Sequence, residues 1–472
     1  MKKLLPLLAL LTMNFTIFAQ IQQQKTDSVC NQFKQYFNAK DVDNIYSLTG
    51  ENFRKQLPPD KFKAVCTNNL FQLGELKETH FEKTANGVSK YKAVFTADTL
   101  DLLLSLNANN KIEVFLLRPY TDPNAKKTGK VPFTNPLSTV LDKKVDSILQ
   151  PFMAQVNTVG VSLAVLKDGK VYYYGYGETA KGNDKVPDQS TIFEIGSISK
   201  TFTATLLADA VNNGKISLDD PANKYLPDSI PQLVFDGTPI TIKTLINHSS
   251  GLPRMPDNFT SADDTDPYKD YDDSKMFSFY KNFKPTRKPG SMYEYSNLAA
   301  GTVGVILERI NKAPYETMLF KTICQPLGMN DTRVYLRKED SARFAKGYAD
   351  GNYAAPWNFK AFVGAGGIRS TATDLIKYAE AQLGKAPSSL NKALRLTHAV
   401  TFKTDKATVA LAWHMIMPGN DLLLFHNGGT GGYRSYLAVN LQKKYAVVML
   451  SNTTISVDGI GNDLMKWLET DH

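Results

Sequence analysis

Near its start the chain carries two hydrophobic periods in succession. Val29, Phe33, Tyr36 and Phe37 recur at helical intervals, and Phe62, Val65, Leu70 and Leu73 do so again. The period then drops to two over Thr79–Thr84, Val88–Thr96, Thr99–Leu106 and Ile112–Leu117. Asn86-Gly87, Asp98 and Asn109-Asn110 separate these runs and are residues that tight turns accept. The pattern predicts two or three helices backed onto a curved antiparallel sheet, since each apolar face then covers the other. Residues 119–136 (PYTDPNAKKTGKVPFTNP) hold four prolines and read as a linker.

Beyond the linker, helical spacing predicts a helix over Leu137–Ala154, then a hairpin of Val159–Leu166 and Val171–Tyr176 turned by Asp168-Gly169. From about residue 219 to 390 the pattern is helical or irregular, with clear helices at Asn297–Asn311 and Thr371–Leu383. Asp263–Ser274, rich in Asp, Tyr and Lys, reads as a solvated loop. Strands are predicted at Val409–Met415, Leu422–Phe425, Tyr433–Leu441 and Tyr445–Ser451, followed by a helix at Ile460–Leu468. The fold class is α+β: an antiparallel sheet drawn from both ends of this region, flanked by helices, with a large mainly helical insertion lobe beside it. The expected organisation is a leader at 1–19, a small α+β domain at 20–118, the linker at 119–136 and a large domain at 137–472.

Composition narrows the function classes. The formal charge of +9 comes from scattered lysines with no run of five basic residues, which argues against a nucleic-acid partner. Met1-Lys2-Lys3, the apolar Leu4–Leu11 and Phe15–Ala19 form a basic start, a short hydrophobic stretch and a cut after Ala19. That predicts export to the periplasm or medium, and the stretch is too short for a membrane span. Removing Lys2 and Lys3 would lower the charge to +7. Of Cys30, Cys66 and Cys324, the first two could bridge in an oxidising compartment, but all three read first as small buried hydrophobes.

The chemistry centres on Thr191–Gly214 (TIFEIGSISKTFTATLLADAVNNG), where Ser197 and Lys200 sit three residues apart at the mouth of a helix. A desolvated lysine there can lose its proton and accept the one on the serine. Spacing alone is cheap, because Ser89/Lys92, Ser278/Lys281 and Ser389/Lys392 share it. Gly196 marks the difference: it permits a sharp turn that leaves helix N–H groups free to face a substrate. No His-Glu-x-x-His, paired His/Asp spacing or Gly-x-Ser-x-Gly is present, so neither a metal, a cofactor nor a Ser-His-Asp triad is expected.

Ser197-Ile-Ser-Lys200, Tyr295-Ser-Asn297 and His426-Asn-Gly428, in this order, resemble the three-element signature of serine β-lactamases and penicillin-binding peptidases. The likeness is to the class C β-lactamase branch, with its D-alanine carboxypeptidase, D-aminopeptidase and esterase relatives. Leu245–Pro253, Pro289–Asn297, Pro326–Met329 and Gly366–Leu375 extend it, and it spans roughly 137–470. The resemblance implies that Ser197 is the acylated nucleophile, Lys200 its proton partner and Tyr295 a phenolate that moves the proton. It implies that Asn297 holds Lys200 and the substrate amide, and could also cap the following helix. His426 and Gly428 would line the substrate strand, with His426 at the strand end facing a carboxylate or the tyrosine. The N–H groups of Ser197 and Gly429 would form the oxyanion hole.

His248 and Gly366-Gly367 read as loop-shaping residues around the cleft. A histidine at 426, where many relatives carry lysine, removes a fixed charge for gripping an acidic substrate. The expected activity is acyl transfer on D-amino-acid peptides or peptidoglycan fragments, with a carboxylic ester or a β-lactam as alternatives. A fold-retaining envelope binding protein is the non-enzymatic alternative. The front domain resembles cystatin-like or NTF2-like modules, which implies a protein or glycan partner.

Overall fold

The computed structural model describes residues 23–470 except 86, 121, 123, 124, 406 and 417–421; the expected leader lies outside the described residues. The chain forms two compact units, Met1–Ala125 and Lys126–His472.

The first unit opens with helix α1 (residues 23–38), then α2 (Val42–Ser47), α3 (Glu51–Gln56) and α4 (Pro59–Asn68). The short helices outnumber the expected two or three because stop and start signals crowd together. Asp41 caps α2 by accepting the Asn44 N–H, and Pro59 opens α4. Strands β1 (Leu76–Ala85), β2 (Val88–Phe95), β3 (Thr99–Leu106) and β4 (Ile112–Pro119) pair in simple antiparallel order. Phe33, Phe37, Tyr91, Phe95, Leu102 and Leu104 fill the core between helices and sheet. On the other face Lys90 bonds Glu82 and Asp101 at 2.9 Å each, and Arg118 joins Asp101. Cys30 and Cys66 are free and buried here, as is Cys324 in the second unit, so the bridge the sequence allowed is not formed.

The second unit begins with helix α5 (Val140–Met153), whose Thr139–Asp142 capping box fixes its start. Strands β5 (Gly160–Lys167) and β6 (Lys170–Gly177) follow as the expected hairpin. The rest of the sheet comes from the far end of the chain: β7 (Phe402–Lys403), β8 (Thr408–Val409), β9 (His414–Ile416), β10 (Leu423–Gly429), β11 (Arg434–Asn440) and β12 (Tyr445–Ser451). The order is β7-β8-β9-β10-β11-β12-β5-β6, so β12 pairs β5 and joins the two ends of the unit.

Strand alternation sorts this sheet into two cores. Val161, Leu163, Val165, Ala438 and Val447 face α5 and the terminal helix α9 (Asp458–Thr470). Ala164, Leu166, Leu437, Val439 and Val448 face the lobe, which contains α6 (Ser199–Asn212), α7 (Asn297–Asn311) and α8 (Ala372–Gln382). The fold class is therefore α+β, as the pattern predicted.

Three local expectations are corrected. Val409–Met415 is not one strand: Ala412 takes φ +60°, and the chain turns between Val409 and His414, which pair with each other. Leu422–Phe425 does not end at Phe425, since pairing with β11 continues through Gly429. Asp263–Ser274 is not simply solvated: Tyr271 is buried, and Tyr268 stacks on Phe359 at 4.5 Å, pinning the segment to the lobe.

Candidate active site

The nucleophile turn is held from both sides. Ile195 donates its N–H to Ile368 O (3.1 Å), and its own carbonyl accepts the Ser435 hydroxyl (2.8 Å). Gly196 takes φ +49° and starts the single turn Gly196–Ile198 that leads into α6. Only a residue without Cβ fits, because an added Cβ would lie 2.6 Å from Gly429 N. Gly428 answers from β10, where a Cβ would lie 2.0 Å from Ile195 O. Two glycines thus let the strand and the turn approach closely enough to set Gly429 N against Gly196, the residue before Ser197.

Helix α6 runs through the lobe core although it holds three threonines. The hydroxyls of Thr201, Thr203 and Thr205 donate to carbonyls of Ile198, Ser199 and Thr201, so none lacks a partner. Lys200 on this helix is completely buried. Its Nζ lies 2.9 Å from Ser197 Oγ, 3.0 Å from Asn297 Oδ1 and 2.6 Å from Ala365 O. Burial, reinforced by the charge of Arg254, drives the amine well below its ordinary pKa. A neutral amine has two N–H groups and one lone pair. The two carbonyl oxygens can only accept, so the lone pair falls to the Ser197 hydroxyl.

Tyr295 reaches the same oxygen from the far side of the lobe, donating its phenol to Ser197 Oγ at 2.7 Å. Burial pushes this phenol up, against the opposing pull of the Ser197 hydrogen bond and of Arg254. Burial thus opposes charge on both groups, the amine and the expected phenolate alike. Ser296 rather than Asn297 caps α7, its hydroxyl accepting the Ala299 N–H at 2.9 Å. That leaves Asn297 Oδ1 free for Lys200.

His426 lies with its ring 6.5 Å from that of Tyr295, one of the two partners expected of it. It is the fourth residue of β10, 1 % exposed, with Nδ1 on Asn427 O at 2.6 Å. Burial and the neighbouring His414 and Lys200 hold its pKa well down, so it carries no charge toward a substrate carboxylate. Gly428 is buried against Ile195, and Gly429 is the exposed glycine of the pair. Gly428, expected to line the substrate strand, is thus turned toward the nucleophile turn instead. Tyr280, whose Tyr-Lys-Asn triplet imitates the second element, is buried against Thr302 and takes no part.

Several neighbours carry no spacing signal of their own. His248, in a left-handed conformation (φ +62°), accepts the Ser296 N–H at 3.2 Å and lies 4.5 Å from the Tyr295 ring. It holds the Tyr295–Asn297 segment in place, in keeping with a shaping role. His414 lies 5.2 Å from the His426 ring. Arg254 directly follows the recognised Leu245–Pro253 stretch, and its guanidinium lies 5.1 Å from the centre of the Tyr295 ring. Behind the turn, Glu194 accepts the Trp357 N–H (2.9 Å) and an Arg369 N–H (3.3 Å), yet burial raises its carboxyl to about 7. Among the described residues, no group of His, Cys, Asp or Glu could hold a metal ion, and no helix is long and apolar enough to cross a membrane.

Comparison with known proteins bears on the second unit. Residues 145–468 match the family described as Beta-lactamase. A Beta-lactamase of Pseudomonas fluorescens is 30 % identical over 349 residues, covering 67 % of this chain and 94 % of that protein. A solved class C beta-lactamase superposes with a TM-score of 0.62 at 28 % identity, covering 69 % of this chain and 96 % of that one. The D-alanine carboxypeptidase AmpC of Burkholderia cenocepacia gives 0.60 at 26 % identity, over 69 % of this chain and 99 % of that one. With a serine shared by a buried amine and a phenol, the chain belongs to the beta-lactamase family and is a serine hydrolase.

Proposed function

We propose that this chain is an exported hydrolase that cleaves D-amino-acid peptides or peptidoglycan fragments through an acyl-enzyme on Ser197. The observation that supports it most directly is the convergence of Lys200 Nζ (2.9 Å) and the Tyr295 phenol (2.7 Å) on one hydroxyl oxygen. Ser197 Oγ bonds to the substrate carbonyl carbon while its proton passes to the Lys200 amine. The N–H groups of Ser197 and Gly429 receive the negative oxygen, each donor contributing about 3 kcal/mol. As the C–N bond breaks, the leaving nitrogen takes the Tyr295 proton. The resulting phenolate is transient, held by the Lys200 ammonium and by Arg254, and Lys200 returns the proton to it. Water then repeats the sequence on the ester, with the acid product leaving and Ser197 restored.

Export is proposed from the leader at 1–19, and a protein or glycan partner for the front unit from its helix-backed antiparallel sheet, which resembles cystatin-like or NTF2-like modules. A second reading, β-lactam hydrolysis, is favoured by the name of the relative at 30 % identity. Intact-protein mass after exposure to a fluorophosphonate tests the reading. One adduct is expected, abolished in Ser197→Ala; an unlabelled wild type would favour a binding protein. Turnover of D-Ala-D-Ala peptides, nitrocefin and short-chain p-nitrophenyl esters then ranks the substrate classes, and the peptide is expected to lead.

A further inference from the structure

Several groups around Ser197 and Tyr295 could be cationic, and their burial sorts them. Lys200, His248 and His426 are each 0–1 % exposed, and desolvation disfavours charge on all three. His414, packed against His426, is depressed by burial as well. Arg434, opposite Gly429 on β11, has Nη1 engaged by the carbonyls of Thr430 (3.0 Å) and Tyr433 (2.8 Å). Arg254 differs from all of these. It is exposed, its guanidinium is a planar fork of N–H donors, and among the described residues no carboxylate pairs with it.

Its place is set by backbone as well as side chain. Arg254 O accepts the N–H groups of Asn297 (3.0 Å) and Leu298 (3.3 Å), which ties the residue to the start of α7 beside the catalytic tyrosine. The guanidinium then lies over the face of Tyr295, the group that protonates the leaving nitrogen in the mechanism above. A negative group on the leaving portion of the substrate would meet an unpaired positive charge on the side where that portion departs.

We propose that Arg254 is the anion anchor of this site, pairing with a free carboxylate on the leaving group, so that the preferred substrates are peptides ending in an unblocked D-residue. The inference rests on the serine-hydrolase reading and deepens it. The family's third element does not supply the charge here, because His426 is buried in the sheet; a residue on the opposite wall does. Guanidinium and carboxylate also match as a two-pronged pair, which a lysine cannot reproduce.

The test compares a D-Ala-D-Ala peptide with its C-terminal amide, reading the ratio of kcat/KM values in wild type, Arg254→Lys and Arg254→Ala. Wild type is expected to prefer the free acid by about tenfold. The ratio should fall toward one in Arg254→Ala and lie between in Arg254→Lys. Arg254 also bears on Tyr295, so absolute rates will shift for both peptides, and the ratio isolates the anchor. Thermal melts and fluorophosphonate labelling of each variant report folding and the intact nucleophile. If neither peptide turns over, the same ratio is read from Ser197 acylation by benzylpenicillin against its methyl ester. A wild type without preference for the acid, or a preference unchanged in Arg254→Ala, overturns the proposal. An unlabelled wild type overturns the serine-hydrolase reading itself, so the two failures are distinguishable.

Discussion

Lys200 shows how much one residue's surroundings decide. Its spacing from Ser197 was visible in the chain, but three other Ser-x-x-Lys pairs share that spacing. Full burial and two acceptor-only carbonyls are what suit this lysine to the base role proposed above. Glu194 follows the same physics with a testable sign. Its carboxyl is raised from 4.5 to about 7, so between those values the folded state holds a proton that the unfolded state has released. Its contribution to stability is therefore present below pH 4.5 and is lost as pH rises to about 7, on the order of 3 kcal/mol in all. The depressed His248, His398, His414 and His426 act the other way, destabilising the fold as pH falls below 6.5. The variant therefore has to be read against wild type at each pH. Urea unfolding of Glu194→Gln and wild type at pH 4.5 and 7.5 should show the gap moving in the variant's favour at the higher pH. An unchanged gap would mean that Glu194 is ionised throughout.

At the scale of elements, the site depends on β10 and the Gly196–Ile198 turn touching through glycine. Gly428→Ala places a carbon 2.0 Å from Ile195 O, so one of the two must retreat, at about 3 kcal/mol. We expect a lower Tm and at least tenfold slower fluorophosphonate labelling. Gly459→Ala, at the start of α9 with open space around it, should leave both measurements unchanged or raise Tm. Alternating side chains revealed the core of β10 but not its end. Past Phe425 the strand is His-Asn-Gly-Gly, where pairing rests on backbone hydrogen bonds that leave no hydrophobic trace. The Val409–Met415 run misled for the opposite reason: it is apolar from Val409 to Trp413 because its turn is buried, with Trp413 wholly enclosed. Asp263–Ser274 looked solvated because its two anchoring tyrosines are too few to form a period.

For the whole molecule, each unit has its own sheet and its own core, and the catalytic constellation lies entirely within the second. We propose that the units fold separately. Residues 126–472 expressed alone should therefore give a cooperative melt and label with fluorophosphonate at the rate of the full chain. A fragment that aggregates, or that melts well below the full chain, would show that the front unit is needed to complete the second.

Residue type and spacing were enough to specify the α+β class, the hairpin of β5 and β6, the serine–lysine pair and the family signature. These depend on local periodicity and on chemistry that tolerates few substitutes. Protonation and orientation were settled only in three dimensions. Lys200 was enclosed among acceptor-only partners, His426 was withdrawn into the sheet and Arg254 was left exposed. Each outcome depends on how much water and which partners surround a side chain, and those neighbours come from segments some 40 to 165 residues away in the chain.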